Sequence, residues 1–569
     1  MSVDAHTGHA SPKWDGQRRS RDARLARARL LANGKRVEAT HATALLEALL
    51  EPGDRVCLEG NNQKQADFLA RTLASLDPTR VHDLHMVQSV LALPEHLDVF
   101  ERGIASRLDF SFSGPQGARL ARLTTEKRIA IGAIHTYLEL FARYFVDLTP
   151  RVALICAQAA DREGNLYTGP NTEDTPAIVE ATAFKNGIVI AQVNEVVDGT
   201  TTRLPRVDIP SDWVDFYIPS PKPHAIEPLF TRDPALISEI QVLMAMLVIK
   251  GIYAPYGVQR LNHGIGFDTA AIELLLPTYA QSLGLKGKIC SHWALNPHPA
   301  LIPAIEAGFV ESVHSFGSEL GMEKYIAARP DVFFTGADGS MRSNRAFCQA
   351  AGHYACDLFI GSTLQIDLAG NSSTATLDRI TGFGGAPNMG ADARGRRHAS
   401  PAWLKAGEEA RAKGNDAGID GRGAIPRGRK LVVQIVETYR EHMEPAFVET
   451  LDAWRLAEKA GMALPPVMIY GDDVSHIVTE EGIANLLLCR TSEEREQAIR
   501  GVAGYTPVGL ARDKRMVENL RDRRIVQRPE DLGIDKRDAT RDLLAARSIK
   551  DLVRASGGLY DPPKRFRNW

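Results

Sequence analysis

The sequence predicts a duplicated α/β protein in which mainly parallel sheets are flanked by helices. Its 569 residues exceed the roughly 250–300 residues at which a single hydrophobic core stops growing, so two large domains are expected. Short apolar runs alternate with helical segments along the chain, which is typical of parallel sheets covered by helices. Two short motifs also recur in the same order in the two halves. Together these observations predict two tandem copies of one domain.

The repeated motifs lie at similar separations. DFSFSGPQG at Asp109–Gly117 matches DVFFTGADG at Asp331–Gly339. DREGN at Asp161–Asn165 matches DLAGN at Asp367–Asn371. Two matches in the same order favour duplication over coincidental turns.

The domain bounds follow from the repeat. We expect a basic N-terminal extension over residues 1–36, a first domain over 37–235 and a second over 236–569. The stretch RRSRDARLARARLL in the extension predicts a solvated surface helix, and docking of an acidic partner is the functional alternative. Residues 390–430 are rich in Gly, Lys and Arg, which predicts a flexible excursion from the domain. Flexibility alone explains this composition, and the functional alternative is that the segment covers an active site or contacts a carrier protein.

Charge and composition exclude several classes of protein. The chain has 68 Lys and Arg against 70 Asp and Glu, a net charge of −2, whereas a nucleic-acid binder needs a basic excess. The sequence has no apolar run near the roughly 20 residues of a bilayer span and no secretory signal pattern. Six scattered cysteines without a CxxC pair predict reduced thiols, no zinc site and no disulfide framework. We therefore expect a cytoplasmic protein that binds neither nucleic acid nor membrane.

The clearest chemical signal is the glycine-rich segment GFGGAPN. Closely spaced glycines let the backbone approach a ligand and turn N–H groups toward one point. That geometry suits a pyrophosphate, or the oxyanion formed when a thioester or anhydride carbonyl is attacked. We predict catalytic amides at Gly384 and Gly385, with Gly382, Ala386 and Asn388 binding the thioester. A tight turn is the structural alternative, because neither Walker nor GxGxxG spacing is present.

Two further loops follow strand-like runs and open helices, which places their amides at a candidate carbonyl or carboxylate site. Capping and turn chemistry is the structural alternative. In them we predict the catalytic residues Asn61 and Asn62 and the binding residues Gly60, Gln63, Asn262, Gly264 and Gly266. His263, His292 and His298 have no zinc-motif spacing, and we interpret them as hydrogen-bonded structural residues.

Longer segments resemble the coenzyme A-transferase superfamily. LNHGIGFDTAAIELL is similar to its glycine loop and following helix, IDLAGNSS and TGFGGAPN to its D-x-x-G-N and G-x-G-G segments, and IVTEEGIANL to its V-T-E segment. Within the superfamily, five segments resemble the malonate decarboxylase α-subunit family. They are LEGNNQKQADFLA, FSFSGPQ, NLYTGPNTEDTPAIVEA, GLKGKICSHWALNPHPALIPAIE and VMIYGDDVSHIVTEEGIA. The resemblance covers about residues 40–569 and implies two tandem coenzyme A-transferase-like domains.

The resemblance implies an acyltransferase that exchanges acetate for malonate on a carrier thiol. The thiol would belong to a coenzyme A-derived prosthetic group, of the phosphoribosyl-dephospho-CoA type, on an acyl carrier subunit. Decarboxylase β and γ subunits are the other implied partners. No cofactor is expected to be covalently bound to this chain, while binding of free coenzyme A and homo-oligomerisation are left open. In this reading Asn61, Asn62 and Gln63 orient malonate, and Arg342 and Arg345 are candidates for its distal carboxylate.

One segment departs from the superfamily pattern. Many coenzyme A transferases carry a glutamate nucleophile in a Glu-Asn-Gly-type segment, whereas the corresponding residues Cys290–Asn296 read CSHWALN. This resembles the subset that works through a free mixed anhydride. The alternatives are a transferase or hydrolase that uses free coenzyme A, a non-catalytic scaffold that docks carrier and decarboxylase subunits, and a sugar-phosphate isomerase of related architecture.

Overall fold

The computed structural model is built on two large, mainly parallel β-sheets. It describes residues 12–60, 64–169, 174–198, 208–226, 228, 231–295, 298–314, 319–333, 356–390, 430–567 and 569. Several predicted features lie outside these residues, namely Asn61, Asn62, Gln63, Arg342, Arg345 and nearly all of the 390–430 excursion.

The first sheet has ten strands, which are β1 Ala32–Asn33, β2 Arg36–Val37, β3 Arg55–Leu58, β4 Leu84–Val90, β5 Ala105–Phe112, β6 Ala130–Ile134, β7 Val152–Asp161, β8 Leu166–Tyr167, β9 Ile188–Val197 and β10 Phe216–Pro219. Their order is β1-β2-β10-β9-β7-β3-β4-β5-β6, with β8 paired to β7. The pairs β1–β2 and β7–β8 are antiparallel, and the other neighbours are parallel.

The remaining strands are β11 Arg260–His263, β12 His292–Ala294, β13 Ser312–His314, β14 Leu358–Ser362, β15 Gln365–Ile366, β16 Ser372–Ser373, β17 Leu431–Ile435, β18 His476–Thr479, β19 Gly482–Asn485 and β20 Val526–Gln527. Eight of them form the second sheet in the order β13-β12-β11-β14-β17-β18-β19-β20, and β15 and β16 form a separate hairpin. The last two pairs of the second sheet, β18–β19 and β19–β20, are antiparallel.

Six parallel strands repeat in the two sheets. The order β10-β9-β7-β3-β4-β5 in the first sheet corresponds to β18-β17-β14-β11-β12-β13 in the second. The central strands are almost wholly buried, as β17 shows with all five residues buried, because helices cover both faces. The predicted fold class, tandem α/β units with mainly parallel sheets flanked by helices, is confirmed.

The DxxGN motifs form the same turn twice. Asp161 accepts hydrogen bonds from the backbone N–H and side-chain Nδ2 of Asn165, both at 2.8 Å. Asp367 accepts the equivalent bonds from Asn371, both at 2.9 Å. Each asparagine then accepts a backbone N–H from the start of a 3₁₀ helix, that of Ser211 or Gly471, at 2.9 Å. The second repeated motif is therefore equivalent in three dimensions.

The first repeated motif is not equivalent in three dimensions. Asp109 lies within β5 and is buried, whereas Asp331 is exposed and ion-paired with Arg329 at 2.8 Å. Phe333 pairs in parallel with Val313 of β13, so it occupies the place that β6 has beside β5. The described part of the second segment, residues 331–333, therefore lies at a different place from its first-half match, although the six-strand repeat supports the duplication that the match suggested.

The helices cover the sheets and connect the strands. Their bounds are α1 Pro12–Ala28, α2 Ala42–Leu49, α3 Asp67–Ala74, α4 Glu95–Glu101, α5 Gly117–Thr125, α6 Tyr137–Val146, α7 Thr175–Phe184, α8 Glu239–Val248, α9 Ala254–Tyr256, α10 Phe267–Leu275, α11 Ile302–Glu306, α12 Glu323–Ala328, α13 Ala386–Gly390, α14 Asp452–Ala460, α15 Ser492–Val502, α16 Pro507–Leu510, α17 Lys514–Asp522 and α18 Ile549–Ala555. Many begin with a side-chain cap, such as the capping box of Ser238 and Gln241 at α8.

The N-terminal helix α1 packs on the first sheet's core with one face. Leu25 and Ala28 are buried, and buried Arg24 forms ion pairs with Glu51 at 2.6 Å and Asp54 at 2.5 Å. The helix is therefore integrated into the first half rather than wholly solvated. The domain limits at residues 36 and 235 stay predictions. Among the described helices, none has the length and apolarity that a bilayer span requires.

Candidate active site

A cavity of about 330 Å³ lies between residues of the two halves. Phe112, His263 and Ser362, which line it, are the last residues of β5, β11 and β14. The cavity therefore lies beyond the carboxyl ends of parallel strands, where α/β sheets bind ligands. Much of its wall is apolar, with Phe359 and Met468 among the lining side chains.

The predicted glycine-rich segment forms one wall of this cavity. Gly382, Gly384, Gly385 and Ala386 all line it, whereas Asn388 lies in α13 outside its described lining. Gly382 has φ +84° and forms an antiparallel bridge with Phe112. A Cβ at Gly382 would stand 2.4 Å from the Ser111 carbonyl oxygen. Glycine is therefore required there by both backbone conformation and close approach.

Two consecutive amides of the segment donate to the same backbone carbonyl of β5. The N–H groups of Phe383 and Gly384 donate to the Ser111 carbonyl at 2.7 and 2.9 Å. The Gly384 carbonyl accepts the N–H of Tyr137, the first residue of α6, at 3.0 Å. In this conformation the Gly384 amide anchors the segment to β5, so it does not face a ligand. Of the two predicted catalytic amides, Gly385 therefore remains the candidate donor.

The end of β11 and the loop after it also contribute to the wall. Asn262 and Gly264 line the cavity. Asn262 Nδ2 donates to the Ala294 carbonyl oxygen. The Gly264 N–H donates to the Ile360 carbonyl oxygen at 2.7 Å. A Cβ at Gly264 would lie 3.1 Å from the Gly361 Cα, so the residue allows β11 and β14 to converge. Gly266 is the N-cap of α10 and lies outside the cavity's described lining.

The first-half loop is placed differently. The Gly60 carbonyl accepts the Val90 N–H at 2.9 Å and the Ser89 hydroxyl at 2.7 Å. Beside it, buried Glu59 pairs with Lys64 at 3.1 Å. Among the described residues that line the cavity, Gly60 is not included. Its observed role is to tie the loop to β4, and its predicted ligand contact stays a prediction.

Two histidines that we interpreted as structural line the cavity. His263 Nδ1 lies 3.0 Å and His298 Nδ1 3.4 Å from the same Glu273 oxygen. His263 Nε2 lies 2.7 Å from the Tyr253 hydroxyl. Burial opposes ionisation of Glu273, but His298 and His263 outweigh it and hold its pKa at about 2. Burial lowers the pKa of His263, although Glu273 partly offsets this effect.

These contacts define the tautomers of the cluster. The ionised Glu273 is acceptor-only, so each histidine donates its Nδ1–H to it. The His263 Nε2 then accepts the Tyr253 hydroxyl proton. The carboxylate thus orients both imidazoles from behind the cavity wall. Sequence spacing did not reveal this role, although His263 lies inside the predicted Asn262–Gly266 loop.

Among the described residues, one guanidinium lies at the cavity wall. Arg232 lines it, and its guanidinium carbon lies 5.7 Å from the centroid of the Phe267 ring. Burial lowers the pKa of Arg232, and Glu319 partly offsets that effect. No motif marks Arg232 in the sequence, because it lies about 30 residues before the glycine loop of β11 in a segment without periodicity.

A cavity with a glycine-rich wall, at the carboxyl ends of strands in two parallel-sheet units, indicates an α/β protein with a coenzyme A-transferase-like fold. An acyl-CoA transferase of Escherichia coli O157:H7 shares this fold, with a TM-score of 0.51 and 14% identity, over 80% of this chain and 88% of that chain. The particular family is shown by a family model. The model described as malonate decarboxylase, alpha subunit, transporter matches residues 13–569, and the chain belongs to that family.

Two relatives agree with this membership. The chain is 62% identical over 557 residues to a protein of Malonomonas rubra named acetyl-S-ACP:malonate ACP transferase, covering 98% of this chain and 99% of the relative. It is 60% identical, with a TM-score of 0.89, to a chain in the crystal structure of a Pseudomonas malonate decarboxylase hetero-tetramer in complex with malonate. That match covers 98% of this chain and 100% of the other. The predicted family is confirmed.

Proposed function

We propose that this chain is the acyltransferase subunit of a malonate decarboxylase and exchanges acetate for malonate on a carrier thiol. The observation that carries the proposal is its near-full-length similarity to the Malonomonas rubra transferase. In this reaction acetyl-S-carrier and malonate give malonyl-S-carrier and acetate. The cavity between the two halves is the proposed site.

The chemistry needs two addition steps and no external base. A malonate carboxylate oxygen attacks the acetyl carbonyl carbon, and the C–S bond breaks to release the carrier thiolate and a mixed anhydride. The thiolate then attacks the malonyl carbonyl of the anhydride and expels acetate. The carboxylate is already ionised at neutral pH, and the thiolate leaves from a thiol of ordinary pKa near 8.5. The protein must therefore align the reactants and stabilise each oxyanion.

The glycine-rich wall supplies the proposed oxyanion contact. The Gly385 amide is the candidate donor, and the anchoring bonds from Phe383 and Gly384 to Ser111 hold the segment in shape. A donor that is held in position before the reaction needs no rearrangement as charge develops, which is why such contacts contribute strongly. Asn61 and Asn62 keep their proposed role in orienting malonate.

The proposed route runs through a free mixed anhydride rather than an acyl-enzyme. Among the described residues that line the cavity, no Asp or Glu side chain is present to act as a nucleophile. Glu273 lies behind the two histidines and is fully buried. Leu295, from the segment that replaces the usual glutamate, contributes an apolar side chain to the wall.

The proposed partners follow from the family. They are an acyl carrier subunit with a coenzyme A-derived prosthetic group of the phosphoribosyl-dephospho-CoA type, and decarboxylase β and γ subunits that remove CO₂ from the malonyl group. We also propose that the complex acts in the cytoplasm.

The first test measures transfer to malonate by the purified chain from two radiolabelled donors, acetylated carrier protein and acetyl-CoA. Malonyl-carrier formation with poor use of acetyl-CoA supports the proposal. Efficient use of acetyl-CoA would instead support a free-coenzyme transferase. Lack of transfer with both donors, in the chain alone and in the assembled complex, would support a docking scaffold.

A second test addresses the route. The chain is incubated with acetylated carrier, treated with borohydride or hydroxylamine, digested and analysed by mass spectrometry. We expect no modified glutamate. A stoichiometric glutamyl adduct on this chain would contradict the mixed-anhydride route while leaving the overall transfer in place.

A further inference from the structure

The glycine-rich wall belongs to the second half of the chain but is hydrogen-bonded to the first. The N–H groups of Phe383 and Gly384 donate to the Ser111 carbonyl oxygen of β5 at 2.7 and 2.9 Å. The Gly384 carbonyl oxygen accepts the N–H of Tyr137, the first residue of α6, at 3.0 Å. The segment before Gly385 is therefore held between the end of β5 and the start of α6, and a shift of either element moves the wall.

A buried pair of side chains links β5 to the start of α6 beside these two contacts. Asp109 lies two residues before Ser111, and His135 lies two residues before Tyr137. Asp109 Oδ1 lies 2.7 Å from His135 Nε2, and both side chains are buried. The His135 N–H also donates to the Phe110 carbonyl oxygen at 2.8 Å. An ionised aspartate only accepts hydrogen bonds, so His135 donates its Nε2–H to Asp109.

The pairing of β5 with β6 accommodates the Asp109 carboxylate. Among the described strands, β6 pairs with β5 alone. The register between them shifts at Asp109, so that Gly132 is an extra residue in β6. A Cβ at Gly132 would overlap the Asp109 carboxylate. β-Bulges often occur next to active sites, where they redirect a side chain, and this bulge leaves room for Asp109 to reach His135.

Further charged groups surround the pair. His85 Nε2 lies 2.6 Å from the second Asp109 oxygen, and Glu139 Oε1 lies 3.1 Å from His135 Nδ1. Burial opposes ionisation of Asp109, but hydrogen bonds from His135 and His85 hold its pKa well below the usual range. Burial also opposes protonation of His135, yet Asp109 and Glu139 raise its pKa. The other charged groups at the cluster are Arg107 near Asp109, Arg55 beside His85 and Arg143 beside Glu139.

We propose that Asp109 and His135 are positioning residues, which hold the start of α6 against β5 and thereby fix the glycine-rich wall for transfer. This inference rests on the proposed function, in which the Gly385 amide stabilises the oxyanion, and deepens it. Neither side chain is among the described residues that line the cavity, so both act through the wall. Protonated His135 meets a carboxylate on each side. Once Nδ1 loses its proton, its lone pair faces the Glu139 carboxylate, and α6 is held less firmly.

The test measures transfer from acetylated carrier to malonate by the full chain, as wild type and as Asp109→Asn. A misplacement of about 1 Å at the reacting groups can cost roughly 100-fold in rate, so Asp109→Asn should lower kcat by about 10- to 100-fold. The KM for malonate should stay near the wild-type value, because the oxyanion contact is made only in the transition state.

Asp54→Asn is the matched control. Asp54 pairs with the buried Arg24 and lies just before β3, at the opposite end of the parallel strands from the cavity. Its substitution should lower the free energy of unfolding, measured by urea denaturation, and leave kcat unchanged.

A double-mutant cycle tests whether Asp109 acts through the wall. If it does, Asp109→Asn should add little to the loss that Gly382→Ala already causes, since the wall is displaced in both. A second comparison uses Glu139→Gln, which removes one of the two carboxylates that favour protonated His135. The alkaline decrease of kcat should begin at lower pH in Glu139→Gln than in wild type, since any other titrating group is shared by the two proteins.

The outcomes separate the inference from the proposed function. Wild-type kcat in folded Asp109→Asn would overturn the inference and leave the transferase proposal intact, and so would losses that multiply in the double variant. If Asp109→Asn does not fold, the exposed Glu139 provides the deciding variant, and an alkaline limb that does not shift in Glu139→Gln overturns the inference. Lack of transfer by wild type, even in the assembled complex, would overturn the proposed function itself and the inference with it.

Discussion

Gly382 provides the sharpest test of how the glycine-rich wall works. In Gly382→Ala the new Cβ would stand 2.4 Å from the Ser111 carbonyl oxygen and 3.0 Å from the Phe112 Cα. These are backbone atoms, so the segment itself must move. The residue also has φ +84°, and a left-handed conformation costs an L-residue about 1–2 kcal/mol. Both effects pull the neighbouring Gly385 amide away from its position.

The expected loss follows from the amide's proposed role. Misplacing one oxyanion donor typically costs about 2.7–4 kcal/mol, or roughly 100- to 1000-fold in kcat. The assay is transfer from acetylated carrier to malonate, with the free energy of unfolding measured by urea denaturation in parallel. Gly382→Ala should lose transfer in that range and also lose stability.

Gly284→Ala is the matched control. Gly284 has φ +66°, but among the described residues no atom beyond its chain neighbours lies within 4 Å of the position that a Cβ would take there, so alanine brings the backbone strain without the clash. It should lose about 1–2 kcal/mol of stability and keep wild-type transfer. If folded Gly382→Ala transferred as fast as Gly284→Ala, the proposed role of this wall would be refuted.

Three further predictions concern polar groups that are buried or half-buried. His298 and His263 hold the folded-state pKa of Glu273 at about 2, below the usual value of about 4.3. The ionised Glu273 therefore stabilises the fold above pH ~4.3, and this contribution is lost as the pH falls toward 2. Urea unfolding from pH 5 to 2 should show this loss in wild type and not in Glu273→Gln. Burial opposes protonation of His135, but Asp109 and Glu139 raise its pKa above 6.5. The protonated His135 therefore contributes its full stabilisation of the fold below about pH 6.5, and this contribution is lost as the pH rises through the folded-state pKa. This alkaline loss should become smaller in Asp109→Asn, in which Glu139 still contacts His135. Asn165→Ala and Asn371→Ala should each lower the free energy of unfolding by about 1–3 kcal/mol. Only Asn371→Ala should also slow transfer, because the turn at Asn371 leads into the cavity wall at Thr374. Equal effects of the two variants on transfer would contradict this.

Much of the fold could be predicted from local signals. The DxxGN turns are recognisable in the sequence because the aspartate and asparagine that bond to each other are four residues apart. Both partners of the hydrogen bond therefore lie within the motif. The match of Asp109–Gly117 with Asp331–Gly339 shows the limit of the same reasoning. Similar letters there lie at different positions in the two sheets, since strand order depends on pairing between distant segments.

The glycine-rich wall was predicted for the same local reason. Closely spaced glycines indicate close approach wherever they occur, and Gly382 does meet β5 at a distance that no Cβ would allow. The direction of each amide was not predictable. The Gly384 N–H donates to Ser111, about 270 residues earlier in the chain, and only the folded chain brings that carbonyl to it.

By itself, the sequence determined the fold class, the family, and two of the loops that line the cavity, because short-range spacing and long runs of matching residues encode them. The tertiary structure decided which polar groups face the cavity. Arg232, His263 and His298 meet there because β11, β12 and the chain before α8 converge at one sheet edge. Such convergence depends on the packing of segments that are far apart in the chain, so it cannot be predicted from the spacing of residues along the sequence.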